Sequence, residues 1–398
     1  SRHTNGTIGN RSSRCPTMSA AGRYVAFSSH STNLTDDPIQ TEQIYINDVS
    51  TGVTTLVSRH SNGTPANVDT YSFRGLSISD DGRYIAFVSR ASNLVDDDTN
   101  SRDDVFVHDR ETGETTLITR NSAGTPVGGW NSSMSSDGYF VAFASDAPDL
   151  VGSNPNGITQ VYVHDRLRRE TVRVSSRPDG HLPNGTADNP AISGNGRYIA
   201  YTSGASNLVA GDTTLPWGVD VFVHDRITKE TTIVSRHSNG TQAQSDNNNG
   251  FGALSLSSDG RFVAFSTPVP GLVDQEIPTC GDKLCGEVFV HDRLTGETKL
   301  ISRHADGTPG NQVSGNSTIS ADGNSVVFET RATNLIFPQD PTYQGNPVFV
   351  HDLDAQVTLF NVSGKVTDAF AGAPLVGVTV SAIYKTTTTD SLGRYTLT

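Results

Sequence analysis

The sequence predicts an all-β protein: a six-bladed β-propeller followed by an incomplete β-sandwich module. Two markers carry this prediction, because each recurs six times in the same phase. One is a turn glycine, and the other is an aspartate that follows a short apolar run. The glycines are Gly22, Gly82, Gly138, Gly196, Gly260 and Gly323; the aspartates are Asp48, Asp109, Asp165, Asp225, Asp292 and Asp352. Long repeats with several short strands each are typical of propeller blades.

The second repeat shows the elements of one blade. Strands are predicted at residues 75–79, 83–89, 104–108 and 115–120, where Val, Ile, Phe, Tyr and Thr are concentrated between Gly, Asp and Asn. The turn glycine supplies the positive φ that a tight hairpin needs. Nearly continuous apolar runs predict sheets covered on both faces by neighbouring blades. No stretch shows a sustained period of 3.6 residues, so almost no helix is expected.

Charge and hydropathy exclude two classes of partner. The 398 residues carry a net charge of −13, which disfavours phosphate-rich nucleic acids and anionic membrane surfaces. No apolar stretch approaches the roughly 20 residues that a membrane-spanning helix needs. We therefore predict no nucleic-acid partner and no membrane insertion.

The chain starts in the middle of the repeat pattern. Its first 13 residues match the linker that follows the fourth strand of other repeats, at residues 58–67, 235–244 and 302–311. We expect either that further chain precedes Ser1 or that this segment completes a neighbouring blade.

Three segments resemble a known repeat. SDDGRYIAFVS from Ser79, SGNGRYIAYTS from Ser193 and SSDGRFVAFST from Ser257 are similar to the WD-like propeller repeat of the TolB C-terminal domain. The longer pattern resembles propeller repeats of secreted bacterial proteins. The resemblance covers about residues 14–362, within a propeller domain at residues 1–362. It implies the fold and not the function, because propellers serve binding, scaffolding and catalysis alike.

The tail at residues 363–398 resembles the start of a carboxypeptidase regulatory-like, prealbumin-type β-sandwich. The similarity rests on residues 362–368, 374–380 and 389–397. The resemblance implies a spacer or adhesion element on a secreted chain, and its strands are too few to complete a sandwich.

Histidine precedes the repeated aspartate in five copies, which invites a catalytic or metal-binding interpretation. The histidines are His108, His164, His224, His291 and His351. The pair recurs at one structural place, and adjacent strand residues point to opposite faces. We therefore expect the aspartate to cap the following turn. No Gly-x-Ser-x-Gly elbow and no sialidase-type aspartate box is present, so we predict no catalytic residues and no enzyme.

An acidic loop in the second repeat is the candidate metal site. Asp98, Asn100 and Asp104 have the D-x-N-x-x-x-D spacing that begins oxygen-ligand calcium loops. The usual bend glycine and terminal glutamate are absent. Two interpretations stay open: a calcium site, which would be the only cofactor, or a solvated acidic loop.

The cysteines indicate the cellular compartment in which the protein is located. Cys280 and Cys285 flank a short turn-rich loop, and we predict a local disulfide between them, with two free thiols as the alternative. Cys15 would remain unpaired. A disulfide implies an oxidising compartment, so the predicted location is extracellular, cell-surface or periplasmic.

These observations predict a non-enzymatic binding or structural propeller of the cell exterior, with protein partners or self-assembly into a filament through strand edges. A second interpretation is a glycan-binding or glycan-active propeller that uses the central channel. That channel should be lined by small polar first strands such as residues 75–79 and 189–193, and carboxylates and aromatics at one mouth would favour it. A third interpretation is a TolB-like periplasmic partner protein.

Overall fold

The computed structural model describes residues 1–37, 39–70, 75–213, 218–243, 245, 250–281, 283–335 and 347–353. In the tail it describes residues 362–365, 367, 373–376, 378–382, 385–392 and 394–397. These residues form 29 β-strands and no helix, which confirms the all-β prediction. None of the described segments is a helix of the length and apolarity that crossing a membrane requires.

Six antiparallel sheets follow one another along the chain as the blades of a propeller, with the first strand of each blade innermost. Blade one contains β1 (Ser13–Met18), β2 (Tyr24–Ser29), β3 (Gln43–Asp48) and β4 (Thr54–Leu56). Blade two contains β5 (Ser77–Ile78), β6 (Tyr84–Ser89), β7 (Asp104–Asp109) and β8 (Thr115–Leu117). Blade three contains β9 (Trp130–Met134), β10 (Phe140–Ser145), β11 (Gln160–Asp165) and β12 (Glu170–Arg173).

The second half repeats the arrangement, with a small hairpin inserted in blade five. Blade four contains β13 (Ala187–Ile192), β14 (Tyr198–Ser203), β15 (Asp220–Asp225) and β16 (Thr231–Ile233). Blade five contains β17 (Leu254–Leu256), β18 (Phe262–Thr267), the hairpin of β19 (Thr279–Cys280) and β20 (Lys283–Leu284), β21 (Glu287–Asp292) and β22 (Glu297–Leu300). The described part of blade six contains β23 (Ser314–Ile319), β24 (Ser325–Thr330) and β25 (Val348–Asp352).

An aromatic pair stacks inside every blade, between its second and third strands. The two rings belong to directly paired residues, such as Phe87 and Phe106 in blade two. The ring centroids in the six pairs lie 5.8 to 6.0 Å apart. The remaining pairs are Phe27–Tyr45, Phe143–Tyr162, Tyr201–Phe222, Phe265–Phe289 and Phe328–Phe349. In blades two to six the aromatic pair is part of the apolar cluster that the blade shares with the preceding blade.

Neighbouring blades interlock through the turn glycine that marks each repeat. Gly82 has a φ of +75°, and a methyl group there would lie 2.1 Å from the Tyr24 ring of blade one. The Arg110 guanidinium covers that ring at 4.1 Å from its centroid. Only glycine permits both the backbone conformation and the close approach. The same contact joins Gly138 to Tyr84, Gly196 to Phe140, Gly260 to Tyr198 and Gly323 to Phe262.

The glycine turns lie side by side on one face of the disc. Backbone hydrogen bonds link each turn to the next, as in Asp80 N–H to the Ser136 carbonyl at 2.8 Å. The others run from Ala20 to Asp80, Ser136 to Gly194, Asn195 to Ser258 and Ser258 to Ala321. The starts of the first strands, and the long loops between the second and third strands, therefore lie on the opposite face.

The tail contains two separate strand pairs. The strand β26 (Val362–Lys365) pairs with β29 (Arg394–Leu397), and β27 (Thr379–Ala382) pairs with β28 (Lys385–Thr388). The strand at residues 394–397 thus has a partner within its own chain. A complete sandwich is not formed by these four strands, and its family assignment stays a prediction.

Candidate functional site

In blade two the histidine of the His–Asp pair donates a structural hydrogen bond. His108 on β7 is paired with Thr115 on β8, and its Nδ1 lies 2.9 Å from the threonine hydroxyl. That hydroxyl donates to the carbonyl of Arg59, in the linker from blade one, at 2.5 Å. It must then accept from the imidazole, which fixes the tautomer with hydrogen on Nδ1. Burial lowers the pKa of His108 to about 4, so the ring is neutral at pH 7.

The same arrangement recurs around the propeller. His164, His224 and His291 contact the matching threonine at 2.9 to 3.0 Å. In blade one the Asn47 amide replaces the imidazole and donates to the Thr54 hydroxyl at 3.0 Å. That hydroxyl donates in turn to the carbonyl of Arg2 at 2.6 Å. Asparagine can replace histidine because only one donor is required.

The aspartate of the pair caps a turn and binds an arginine. Asp109 Oδ1 accepts from Glu111 N–H at 2.9 Å, and both carboxylate oxygens accept from Arg83, at 3.0 and 2.7 Å. Burial alone would raise the pKa of Asp109, but the hydrogen bonds from Arg83 and the backbone outweigh it and lower the pKa to about 2. Asp225 and Asp292 bind arginine in the same way. The predicted capping of the following turn by the aspartate is confirmed in these blades.

Blade six has an open face. In blade five, Val288 and Val290 pack against blade six and are 0% and 3% exposed. Their equivalents in blade six, Val348 and Val350, are 63% and 68% exposed. Two valines that a neighbouring blade covers elsewhere thus face solvent here.

Blade one has a cavity on its opposite face. Val25 and Phe27 occupy the positions that Val326 and Phe328 hold in blade six, where they receive the valines of blade five. In blade one they line a cavity of about 500 Å³, together with residues such as Arg14. These two faces are therefore equivalent to the two halves of the contact that joins blades five and six.

The interlock is also incomplete between blades six and one. Gly22 has a φ of +68°, and the nearest atom that a methyl group there would contact is the sulfur of Met18, at 3.5 Å. Blade six offers Ser325 where other blades carry an aromatic ring, and blade one offers exposed Val49 where blades two to five carry arginine. Within the described residues, no backbone hydrogen bond joins the glycine turns of these two blades.

One mouth of the channel is built from strand starts with unusual backbone conformation. Four residues at the same position of the first strand have φ between 49° and 52°, namely Cys15, Asn131, Asn189 and Asn316. Each lies where the register to the second strand is irregular. Asparagine tolerates this left-handed region better than most residues.

A polar cluster with one aromatic ring follows from that backbone. Asn131 Nδ2 donates to Asp188 Oδ1 at 2.8 Å and to Asn189 Oδ1 at 3.3 Å. Trp130 Nε1 donates to Asp188 Oδ2 at 3.4 Å. The sequence predicts small polar groups in the channel, and it does not predict this cluster of a carboxylate and an aromatic ring. The available signal was the Trp-Asn and Asp-Asn dipeptides at one repeat position.

The predicted calcium ligands are brought together in blade two. Asp98 and Asp104 are buried, and the Asn100 side chain lies beside Asp104 and lowers its pKa against the stronger effect of burial. Asp104 Oδ1 accepts from the Thr119 hydroxyl at 2.5 Å and from Gly128 N–H at 3.2 Å. Its Oδ2 has no hydrogen-bond partner. Burial raises the pKa of Asp98 and brings that of Asp104 to about 6.

The rest of the acidic loop differs from these buried groups. Asp96 is exposed, as a solvated loop requires, and Asp97 pairs with Arg120 at 2.6 Å. Asn100 Oδ1 accepts from Arg102 N–H at 2.7 Å. Among the described residues no group of three or more His, Cys, Asp or Glu side chains could hold a metal ion, so a cation here needs oxygen from the amide or from water.

The cysteines adopt the predicted arrangement. A disulfide joins Cys280 to Cys285 across the β19–β20 hairpin, with 4.9 Å between the Cα atoms. Cys15 is half-buried and outside any disulfide. The oxidising compartment that such a bond requires stays a prediction.

Comparison with known proteins gives matches among solved structures only. No protein-family profile matches it, and no curated protein matches it. Among solved structures it is similar to TolB from Acinetobacter baumannii, with 16% identity over 79% of this chain and a TM-score of 0.42; it spans 57% of that chain. A putative TolB from Agrobacterium tumefaciens gives 15% identity, 73% and 80% coverage and a TM-score of 0.44.

The β-propeller domain of the Trilobed protease from Pyrococcus furiosus gives 13% identity, 87% and 82% coverage and a TM-score of 0.48. Enzymes occur among the further matches. The blades described above make the chain a six-bladed β-propeller, and the similarity to these structures adds nothing about its function.

Proposed function

We propose that this chain is a non-catalytic binding propeller that associates head to tail with further copies of itself. The observation that carries the proposal is the exposure of Val348 and Val350, at 63% and 68%. In such a contact these valines pack against Val25 and Phe27 of the next copy. Burial of Val348 and Val350 would drive association, because these two side chains are exposed in the single chain.

The geometry of this contact favours an open assembly. The two faces are different, so the contact is heterologous, and a heterologous contact that does not close into a ring produces a filament. The repeated His and Asp side chains are engaged in structural hydrogen bonds, which supports binding over catalysis. The disulfide of blade five supports a location outside the cytoplasm, at the cell surface, in the periplasm or beyond.

The test is mass measurement by size-exclusion chromatography with light scattering over a range of protein concentrations. We expect oligomers that grow with concentration for the unchanged protein and a monomer for Val350→Asp, which places a charge in the contact. Leu294→Asp is the matched control, since Leu294 is 76% exposed on a turn of blade five, and it should assemble normally. A protein that stays monomeric at every concentration, or equal assembly of both variants, contradicts the proposal.

The second candidate function is glycan binding at the channel mouth. It rests on the cluster of Trp130, Asn131, Asp188 and Asn189, which combines an aromatic ring with a carboxylate and two amides. Such groups can stack on a sugar ring and hydrogen-bond its hydroxyls. Quenching of tryptophan fluorescence by neutral oligosaccharides, lost in Trp130→Ala and reduced in Asp188→Asn, would support it. Unchanged fluorescence across a panel of oligosaccharides argues against it.

A further inference from the structure

One buried polar position recurs at the start of the third strand in five blades. Its side chain is at most 1% exposed in every copy. One oxygen of each side chain accepts a hydrogen bond from a serine or threonine hydroxyl that follows the fourth strand. The five residues are Gln43, Asp104, Gln160, Asp220 and Glu287.

The second polar atom of that side chain has different hydrogen-bond partners in different blades. In blades one and three it is an amide nitrogen, and it donates to the backbone carbonyls of Ala66 and Gly185, at 3.1 and 3.2 Å. In blade four it is a carboxylate oxygen. There Gln242 Nε2 donates to Asp220 Oδ2 at 2.9 Å and to Asp212 Oδ1 at 2.8 Å. One amide nitrogen thus bridges two carboxylates.

Blade two has the two carboxylates without the bridging amide. Asp98 and Asp104 occupy the positions of Asp212 and Asp220, but Pro126 stands where blade four carries Gln242. Asp104 is fully buried, and its Oδ2 is left without a hydrogen-bond partner. A buried carboxylate oxygen without a donor or a counter-charge is costly. The neighbouring Arg120 is engaged by Asp97.

We propose that blade two binds a calcium ion between the carboxylates of Asp98 and Asp104, in the place that the Gln242 amide takes in blade four. The ligand set is oxygen only, which suits a hard cation. Asn100 holds its amide nitrogen beside Asp104 and its Oδ1 against Arg102 N–H, so its amide must rotate to offer Oδ1 as a third ligand, and water completes the shell. Calcium is favoured over magnesium, because it accepts irregular geometry where magnesium demands a near-ideal octahedron.

The structure also supplies a substitution that should abolish the site without disturbing the fold. Pro126 forms a β-bridge with Arg120, and Gln242 forms the same bridge with Arg236. The backbone is therefore alike at both positions, and Pro126→Gln can adopt the blade-four arrangement. Its amide would occupy the space between Asp98 and Asp104.

The experiment is isothermal titration of the chelator-treated full chain with calcium chloride, with thermal unfolding in calcium or in EDTA as a second readout. We expect one ion per chain and a higher Tm with calcium, since a ligand that binds only the folded state stabilises it. Asp98→Asn should weaken binding on the order of tenfold or more. Pro126→Gln should lose binding while its Tm in EDTA equals or exceeds that of the unchanged protein.

Asp96→Asn is the matched control in the same loop, because Asp96 is exposed, and it should bind calcium normally. Absence of binding heat together with an identical Tm in calcium and in EDTA overturns the proposal. So does calcium binding that survives both Asp98→Asn and Pro126→Gln, because the ion then lies elsewhere.

Discussion

Replacing Glu287 by glutamine should stabilise the propeller, and increasingly so as the pH rises. Glu287 begins β21, is fully buried, and accepts a hydrogen bond from the Ser302 hydroxyl through Oε2. Its Oε1 has no hydrogen-bond partner, and burial raises its pKa to about 8. Glutamine already fills the same position as Gln43 and Gln160, so Glu287→Gln keeps the shape and the serine contact.

The magnitude follows from the difference in pKa between the folded and unfolded chain. A carboxyl whose pKa is raised by folding contributes fully at low pH, and the contribution is lost as the pH rises through the folded value. The relevant window runs from the ordinary value of 4.5 to about 8. At about 1.4 kcal/mol for each pH unit, the wild type should lose on the order of 5 kcal/mol across this window that the glutamine variant retains.

The assay is urea unfolding at pH 5, 7 and 8.5, compared between the two proteins. We expect the free energy of unfolding of Glu287→Gln to exceed that of the wild type by an amount that grows with pH. The reciprocal variant Gln160→Glu places a carboxyl at the matching site of blade three and should acquire the same pH dependence. Parallel loss of stability in the wild type and Glu287→Gln from pH 5 to 8.5 would refute the reasoning.

Three further predictions follow from the repeat. Gly138→Ala and Gly113→Ala share a φ of +74°, but only at Gly138 would the methyl group meet a neighbouring ring, at 2.3 Å. Urea unfolding should show a loss of roughly 1–2 kcal/mol at Gly113 and about 1–3 kcal/mol more at Gly138; equal losses would contradict the interlock. His108→Asn should preserve the Tm better than His108→Leu, which removes the donor at a cost of about 1–3 kcal/mol; equal Tm values would count against that role. Mass spectrometry of the unreduced protein should find Cys280 bonded to Cys285, whose loss costs on the order of 2 kcal/mol, and free thiols at both would be the contrary result.

The fold could be predicted because each of its two sequence markers meets a structural requirement of its own turn. A glycine such as Gly82 is required for its positive φ, and an aspartate such as Asp109 caps the turn that follows it. Both requirements involve only a few neighbouring residues, so the same residue types recur in every repeat and can be recognised in the sequence. The strand predictions in blade two were confirmed, although the first and fourth strands proved shorter, at Ser77–Ile78 and Thr115–Leu117.

The candidate sites were harder to predict because they depend on distant pairs. Gln242 bridges two carboxylates 22 and 30 residues away, and only comparison between blades shows that Pro126 removes this bridge. The channel cluster was missed because the left-handed residue Asn131 interrupts the strand alternation from which side-chain direction is inferred. The open junction is visible in the sequence, because Ser325 and Val49 replace the aromatic residue and the arginine that are usual at these two positions.

The linker contacts have a mechanical consequence. The Thr54 hydroxyl is tied to the carbonyl of Arg2, that of Thr115 to Arg59, and that of Thr298 to Arg236. In the last two cases the linker leaving one blade is fastened to the outermost strand of the next. Tension between the chain ends would therefore load each outer strand through its neighbour's linker, so blades should give way one after another. Each rupture would release about 60 residues, or roughly 200 Å of extended chain, which would record the repeat as evenly spaced steps in a force–extension trace.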